Sequence, residues 1–214
     1  IPRTLALTLY GDLNLSMIEE LPKNRKPILT KVVDSENRTK AYTFIRERLS
    51  RGQQMFVVCP LIEESDLLGV KSATEEYDRL SREIFPEFRV GLLHGKLKGD
   101  EKNRVMQAFQ NGETAILVTT AVIEVGIDVP NATMMLIEYY ERFGLAQLHQ
   151  FRGRVGRAGI QSFCFLFSEN QTPNVRARLQ KMASCHSGFE LAQYDLEQRG
   201  PGEVYGTQQS GLPE

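Results

Sequence analysis

A parallel α/β sheet covered by helices on both faces is the fold class this sequence predicts. Three observations carry it. Short apolar, β-branched runs alternate with segments of helical spacing from Ile28 to Phe167. The runs are continuous rather than alternating in polarity, as strands buried on both faces require. The connections are short, which suits strand–helix–strand units.

In chain order, Leu5 to Tyr10 reads as a short strand closed by Gly11-Asp12, and Leu21 to Arg25 as a loop. Ile28 to Val33 is a strand. Ser35 to Leu49 is a helix, with Ala41, Tyr42, Ile45 and Leu49 on one face and Gly52 as its stop signal. Met55 to Cys59 is a buried strand ended by Pro60, and Glu63 to Lys71 reads as a charged loop. Ala73 to Phe85 is a helix stopped by Pro86. Phe88 to Leu93 is a strand, and His94-Gly95-Lys96 follows it directly. Asp100 is expected to cap a helix that buries Val105, Met106 and Phe109 and ends at Gly112. Ala115 to Thr119 and Ala132 to Ile137 are strands, 143–152 a helix, and Ser162 to Phe167 the last strand. From Thr172 the rhythm changes to two short helices, Val175 to Cys185 and Gly188 to Leu196, and a glycine-rich tail. That tail has too little apolar surface for a core of its own and is expected to pack back on the domain.

Composition sets limits on function. The chain has 214 residues, of which 41% are hydrophobic and 25% charged, so it is neither a disordered nor a membrane-embedded sequence. No apolar run approaches the ~20 residues of a membrane span. No charged segment leads into an apolar one at the N-terminus, so no signal peptide is expected. Ile1 in place of Met points to a piece of a larger protein. Cys59, Cys164 and Cys185 show no metal spacing and read as buried reduced thiols. With a formal net charge of −1, any polyanion site must be local.

The obvious place is His149 to Arg157, H-Q-F-R-G-R-V-G-R. A planar, permanently charged guanidinium suits a phosphate oxygen whose charge grows during transfer. If the helix continues, Arg154 and Arg157 share one face and Arg152 points elsewhere. A solvated, salt-bridged helix face is the competing reading. Against it, no acid lies four residues from Arg154 or Arg157, and Gly153 and Gly156 weaken a plain helix. The run Thr119 to Pro130 follows a buried strand. Thr119 and Thr120 offer hydroxyls and amides to a phosphate backbone, and Asp128 could accept from a sugar hydroxyl, unless these residues only serve a turn. Three polar clusters, Pro60 to Glu63, His94 to Lys96 and Thr119-Thr120, follow strand ends and are expected along one sheet edge, where α/β folds bind ligands. No G-x-x-x-x-G-K-[ST] loop and no D-E-x-H or D-E-x-Q run is present, so phosphate-facing arginines occur without a nucleotide pocket.

Taken together, the motifs resemble the second RecA-like lobe of superfamily 2 helicases. Q-F-R-G-R-V-G-R is similar to motif VI and T-T-A-V-I-E-V-G-I-D-V-P to motif V. F-V-V-C-P-L-I-E-E and G-L-L-H-G-K-L-K are similar to motifs IV and IVa, and Ile1-Pro2-Arg3-Thr4 to the end of the first lobe. Within that superfamily the whole chain resembles the C-terminal part of the RecG family, on Gly11-Asp12-Leu13, on C-P-L-I-E-E, and on a tail from Asp195 to Gly211 similar to the TRG translocation element. The transcription-repair coupling factors share that element.

The resemblance implies roles. Arg157 would be the arginine finger and Arg154 its phosphate-contacting companion. Gly126, Asp128 and Gln150 would lie on the nucleotide side. Pro60, His94, Gly95, Thr119 and Thr120 would line the nucleic-acid track. Arg178, Arg199 and Gln209 would couple lobe closure to movement. Residues 1–171 would form the lobe (1–4 closing the preceding one), and 172–214 the helical hairpin and TRG element. ATP and Mg2+ would be held mainly by a first lobe outside this sequence, and this chain would bind no metal itself. The implied protein is a monomeric, bacterial, cytoplasmic DNA helicase acting on forks and Holliday junctions, with a wedge domain in the same polypeptide and no contact with membrane. Two other readings stay open at this point. One is the corresponding lobe of a transcription-repair coupling factor, which alone would bind RNA polymerase. The other is an ATPase-inactive RecA-like module, in which Arg157 could change without consequence.

Overall fold

The computed structural model describes residues 26–60, 66–120, 129–157, 159–168 and 172–185, together with positions 190, 191 and 194. The expectations for Leu5 to Tyr10, Leu21 to Arg25 and the glycine-rich tail lie outside these residues. Six strands form one sheet: β1 (Leu29–Val33), β2 (Gln54–Cys59), β3 (Val90–Leu93), β4 (Ile116–Thr120), β5 (Ala132–Glu138) and β6 (Phe163–Phe167). Their order is β1-β6-β5-β2-β4-β3 and every pairing is parallel. The helices are α1 (Arg38–Ser50), α2 (Asp66–Arg79), α3 (Gly99–Gln110), α4 (Leu145–Arg152) and α5 (Pro173–Ser184).

The period of two along each strand builds two cores, one on each face. Met55, Val57, Ile116, Val118, Met134 and Leu136 face Ile45 and Leu49 of α1, Ala73 of α2, and Leu80 and Phe85. Phe56, Val58, Leu117, Met135 and Ile137 face Phe109 of α3, Leu148 and Phe151 of α4, and Leu179 and Met182 of α5. Strands β2, β4, β5 and β6 are buried along their whole length, so helices must cover both sides. Helix α5 therefore shares the core of the lobe through Leu179 and Met182.

Several boundaries differ from the expectation. Asp66 to Lys71, read as part of a charged loop, belongs to α2. That helix closes in a π turn at Leu80–Ile84, with the Phe85 amide donating to the Leu80 carbonyl at 2.8 Å, just before Pro86. Asp100 is not the cap of α3. Lys98 holds that position, and its amide donates to the Glu101 carboxylate at 3.1 Å. Gly52 and Gly112 end α1 and α3 at φ of +79° and +77°, as the stop signals implied.

Candidate nucleotide and nucleic-acid interface

Helix α4 is anchored by Leu145, Leu148 and Phe151, all buried, with Phe143 and Phe151 packed edge to face at 5.3 Å. It stops at Arg152, with Gly153 at its C-terminal cap. This corrects the expectation that Arg154 and Arg157 share a helical face. Gly153 weakens the helix and Gly156 takes φ +81°, so the backbone turns after Arg152. Between the two arginines Val155 is fully buried, which pins the turn to the core. Arg154 is half-buried, while Arg157 and Gln150 are exposed. Two guanidiniums on a short, pinned turn suit a phosphate presented from another body.

Arg152 does something else. It is 4% exposed and donates to the carbonyls of Met182 at 2.7 Å and Cys185 at 2.9 Å, and to His149 Nδ1 at 3.0 Å. Those carbonyls close the C-terminal end of α5, where helix carbonyls lack partners. Burial lowers the Arg152 pKa, and the carbonyl oxygens compensate the buried cation. Arg178 of α5 answers in the other direction, donating to the carbonyl of Phe143 at 3.0 Å just ahead of α4. Two arginines thus bolt α4 and α5 together at both ends.

At the carboxyl edge of the sheet, Cys59 pairs in register with Thr120, and Leu93 with Thr119. Pro60, Thr119-Thr120 and His94-Gly95 therefore lie at three adjacent strand ends, along the single edge expected. Thr119 and Thr120 are fully buried, and the Thr119 hydroxyl already donates to the Thr120 carbonyl at 2.7 Å. They form a floor there, and the hydroxyl contacts expected from the sequence are not offered at the surface. His94 is half-buried. Burial first, then Lys102 and Lys96, lower its pKa and favour the neutral ring. The Lys102 ammonium donates to the Gly95 carbonyl at 2.7 Å. Nothing lies within 4 Å of where a Gly95 side chain would start, so the backbone is open to close approach. Gly126, Asp128, Arg199 and Gln209 lie outside the described residues.

Sequence reasoning missed a cluster beside this edge. Crossovers leave β2 toward β3 and β5 toward β6 in opposite directions, so the neighbouring ends of β2 and β5 form a topological switch point. A cavity of about 320 Å³ opens there, lined by Arg38, Cys59, Glu76, Arg79, Glu138 and Tyr139. Glu138 is 3% exposed and accepts from both terminal nitrogens of Arg38, at 3.3 and 3.1 Å. Arg79 reaches Glu76 at 2.7 Å, the Tyr42 hydroxyl at 2.8 Å and Glu138 at 3.5 Å. Burial, then Glu76, pushes Glu138 up to about 7 against the pull of the arginines. The available signal was a carboxylate closing an otherwise apolar strand. Among the described residues, no group of three His, Cys, Asp or Glu could hold a metal ion.

The helicase conserved C-terminal domain family matches residues 37–159. ATP-dependent DNA helicase RecG of Synechocystis sp. is 52% identical over 214 residues, all of this chain and 26% of the relative. The chain thus spans about a quarter of that protein's length. A solved structure of RecG bound to a three-way DNA junction superposes with a TM-score of 0.77 at 48% identity, over 95% of this chain and 26% of that one. The Saccharomyces cerevisiae Dbp5 structure with RNA and ADP BeF3 shares the fold alone, with TM-score 0.58 at 19% identity over 90% of this chain and 51% of that one. A six-stranded parallel sheet with helices on both faces, in this company, is the RecA-like helicase fold. The chain belongs to the helicase conserved C-terminal domain family and is similar, from end to end, to the corresponding region of RecG.

Proposed function

We propose that this chain is the C-terminal motor lobe of an ATP-dependent double-stranded-DNA translocase that remodels branched DNA, reversing stalled forks and migrating Holliday junctions. One observation carries the reading. The turn bearing Arg154 and Arg157 is continuous with α4, and α4 is bolted to α5 through Arg152 and Arg178. Any force on the phosphate-facing turn is delivered to the hairpin helix. The similarity to RecG, one structure of which holds a three-way junction, supplies the class of DNA.

ATP and Mg2+ would be held mainly by a first lobe, where ATP supplies the phosphoryl group whose hydrolysis drives the cycle. Arg154 and Arg157 would meet its phosphates from this side, with Gln150, Gly126 and Asp128 flanking them. Pro60, His94 and Gly95 would line the DNA track, above the floor of Thr119 and Thr120. Residues 172–214, with Arg178, Arg199 and Gln209, would turn lobe closure into a step, which a wedge domain converts into strand separation. The parent would work as a monomer in the bacterial cytoplasm. Contacts to phosphates make binding sequence-tolerant and salt-sensitive.

The test is fork-stimulated ATP hydrolysis by the full-length parent, wild type beside Arg157→Ala, with fork binding measured in parallel. Loss of turnover by a factor on the order of 10³ with fork binding retained supports a transition-state arginine. Unchanged hydrolysis refutes the assignment of Arg157 and the cleft-closing mechanism with it.

A further inference from the structure

Tyr139 has φ +47° and ψ +48°, and among the described residues it is the one non-glycine with positive φ. A bulky side chain is strained there, and such conformations persist where surrounding contacts impose them and something is gained by the aim they give. The contacts are present on both sides. Glu138 before it is gripped by Arg38 and Arg79. After it, the Arg142 amide donates to the Tyr139 carbonyl at 3.0 Å, closing a tight turn. Asparagine or glycine would take this backbone at lower cost. The ring is 37% exposed, and the Arg142 guanidinium carbon lies 5.7 Å from its centroid. Arg142 is itself exposed and makes no ion pair among the described residues. The adjacent Glu141 turns one carboxylate oxygen into the interior.

This pair stands at the carboxyl end of β5, next to β2 and in line with β4 and β3. At ~4.8 Å per strand, the edge from His94 to Tyr139 measures roughly 15 Å, against 3.4 Å of rise per nucleotide of one DNA strand. The cavity behind Tyr139 is lined by Glu75, Glu76 and Glu138 against Arg38 and Arg79, and both guanidiniums are held by Glu138 and Glu76, so Arg142 is the cation presented at this end of the edge. Resting on the reading of that edge as the DNA track, we propose that Arg142, steadied by the Tyr139 ring, is a phosphate-contacting residue that lengthens the track by one strand, onto β5. The ring limits the arrangements of the guanidinium, so less freedom is lost when it meets a phosphate.

The experiment is anisotropy of labelled forked DNA with the full-length parent, without nucleotide, from 50 to 200 mM salt. Arg142→Ala, Tyr139→Asn, the double variant and His94→Ala are compared with wild type. Arg142→Ala should weaken binding roughly tenfold and lower the salt slope by about 0.9. Tyr139→Asn should weaken it in the same direction without lowering the melting temperature, since asparagine accepts this backbone. The double variant should bind no worse than Arg142→Ala, because the ring acts through the arginine. If His94→Ala loses affinity while Arg142→Ala keeps wild-type affinity and slope, the track ends at β2 and the inference falls while the lobe reading stands. If His94→Ala also binds as wild type, the edge is not a track and both fall. A loss confined to Tyr139→Asn would overturn the phosphate role.

Discussion

Replacing Arg152 by alanine should damage the fold, whereas replacing Arg157, five residues on, should damage only the chemistry. Arg152 makes two buried bonds to the Met182 and Cys185 carbonyls and one to His149. Hydrogen bonds from a charged donor contribute roughly 1.5–3 kcal/mol each, so losing two costs about 3–6 kcal/mol gross. Part is offset, because burial already penalises this cation and its removal ends that penalty. The carbonyls at the end of α5 can also regain water if the helix end lifts. A net loss of about 3 kcal/mol remains, a large share of the ~5–15 kcal/mol by which domains are stable. In urea, with a slope of roughly 2–3 kcal/mol per molar, the midpoint should fall by about 1 M. Urea unfolding of the 214-residue chain measures this. Arg152→Lys should recover little of it, because an ammonium cannot fork between two carbonyls. Arg157→Ala should stay within about 0.5 kcal/mol of wild type, as exposed substitutions do. Wild-type stability for Arg152→Ala would show that α4 and α5 are held by apolar packing alone. The claim that they move as one bolted body would then be withdrawn.

Three further outcomes follow from the geometry. Glu138 has a folded pKa of about 7, above its ordinary 4.5, so the native state binds the extra proton between those values. Stability should therefore fall as pH rises through that window, by at most roughly 3 kcal/mol, and Glu138→Gln should flatten this slope in melting curves from pH 4.5 to 8; equal slopes would refute it. Gly156→Ala should cost about 2 kcal/mol in urea, because φ is +81° and the new Cβ would lie 3.1 Å from Ile28 Cγ1. Gly95→Ala, with open space around it, should leave stability within about 0.5 kcal/mol while weakening fork binding if the backbone approaches DNA there.

What the sequence showed and what it hid divide along physical lines. Strands β2, β4 and β5 were legible because they are buried on both faces and so carry uninterrupted apolar runs. Pro60, His94 and Thr120 were placed at strand ends by local order alone, and their alignment on one edge followed from parallel pairing. The start of α2 was not legible because Glu63, Glu64 and Asp66 run directly into Leu67, Leu68 and Val70 and Gly69 interrupts that apolar run, so the whole stretch read as a charged loop. The Glu138 cluster was hidden because Arg79 and Arg38 lie 59 and 100 residues from Glu138 in sequence and meet it only through the fold. The arginine segment shows the limit most clearly. Arg152, Arg154 and Arg157 are chemically identical and spaced for phosphate, yet Arg152 is buried against two carbonyls while Arg157 is exposed. What separates them is where α4 ends. Before Gly153 a side chain on the inner face is committed to the core and to α5; after it, the turn leaves Arg157 exposed. The proposed motor role would need both, because a phosphate-sensing turn that was not tied to α5 could register hydrolysis without moving anything.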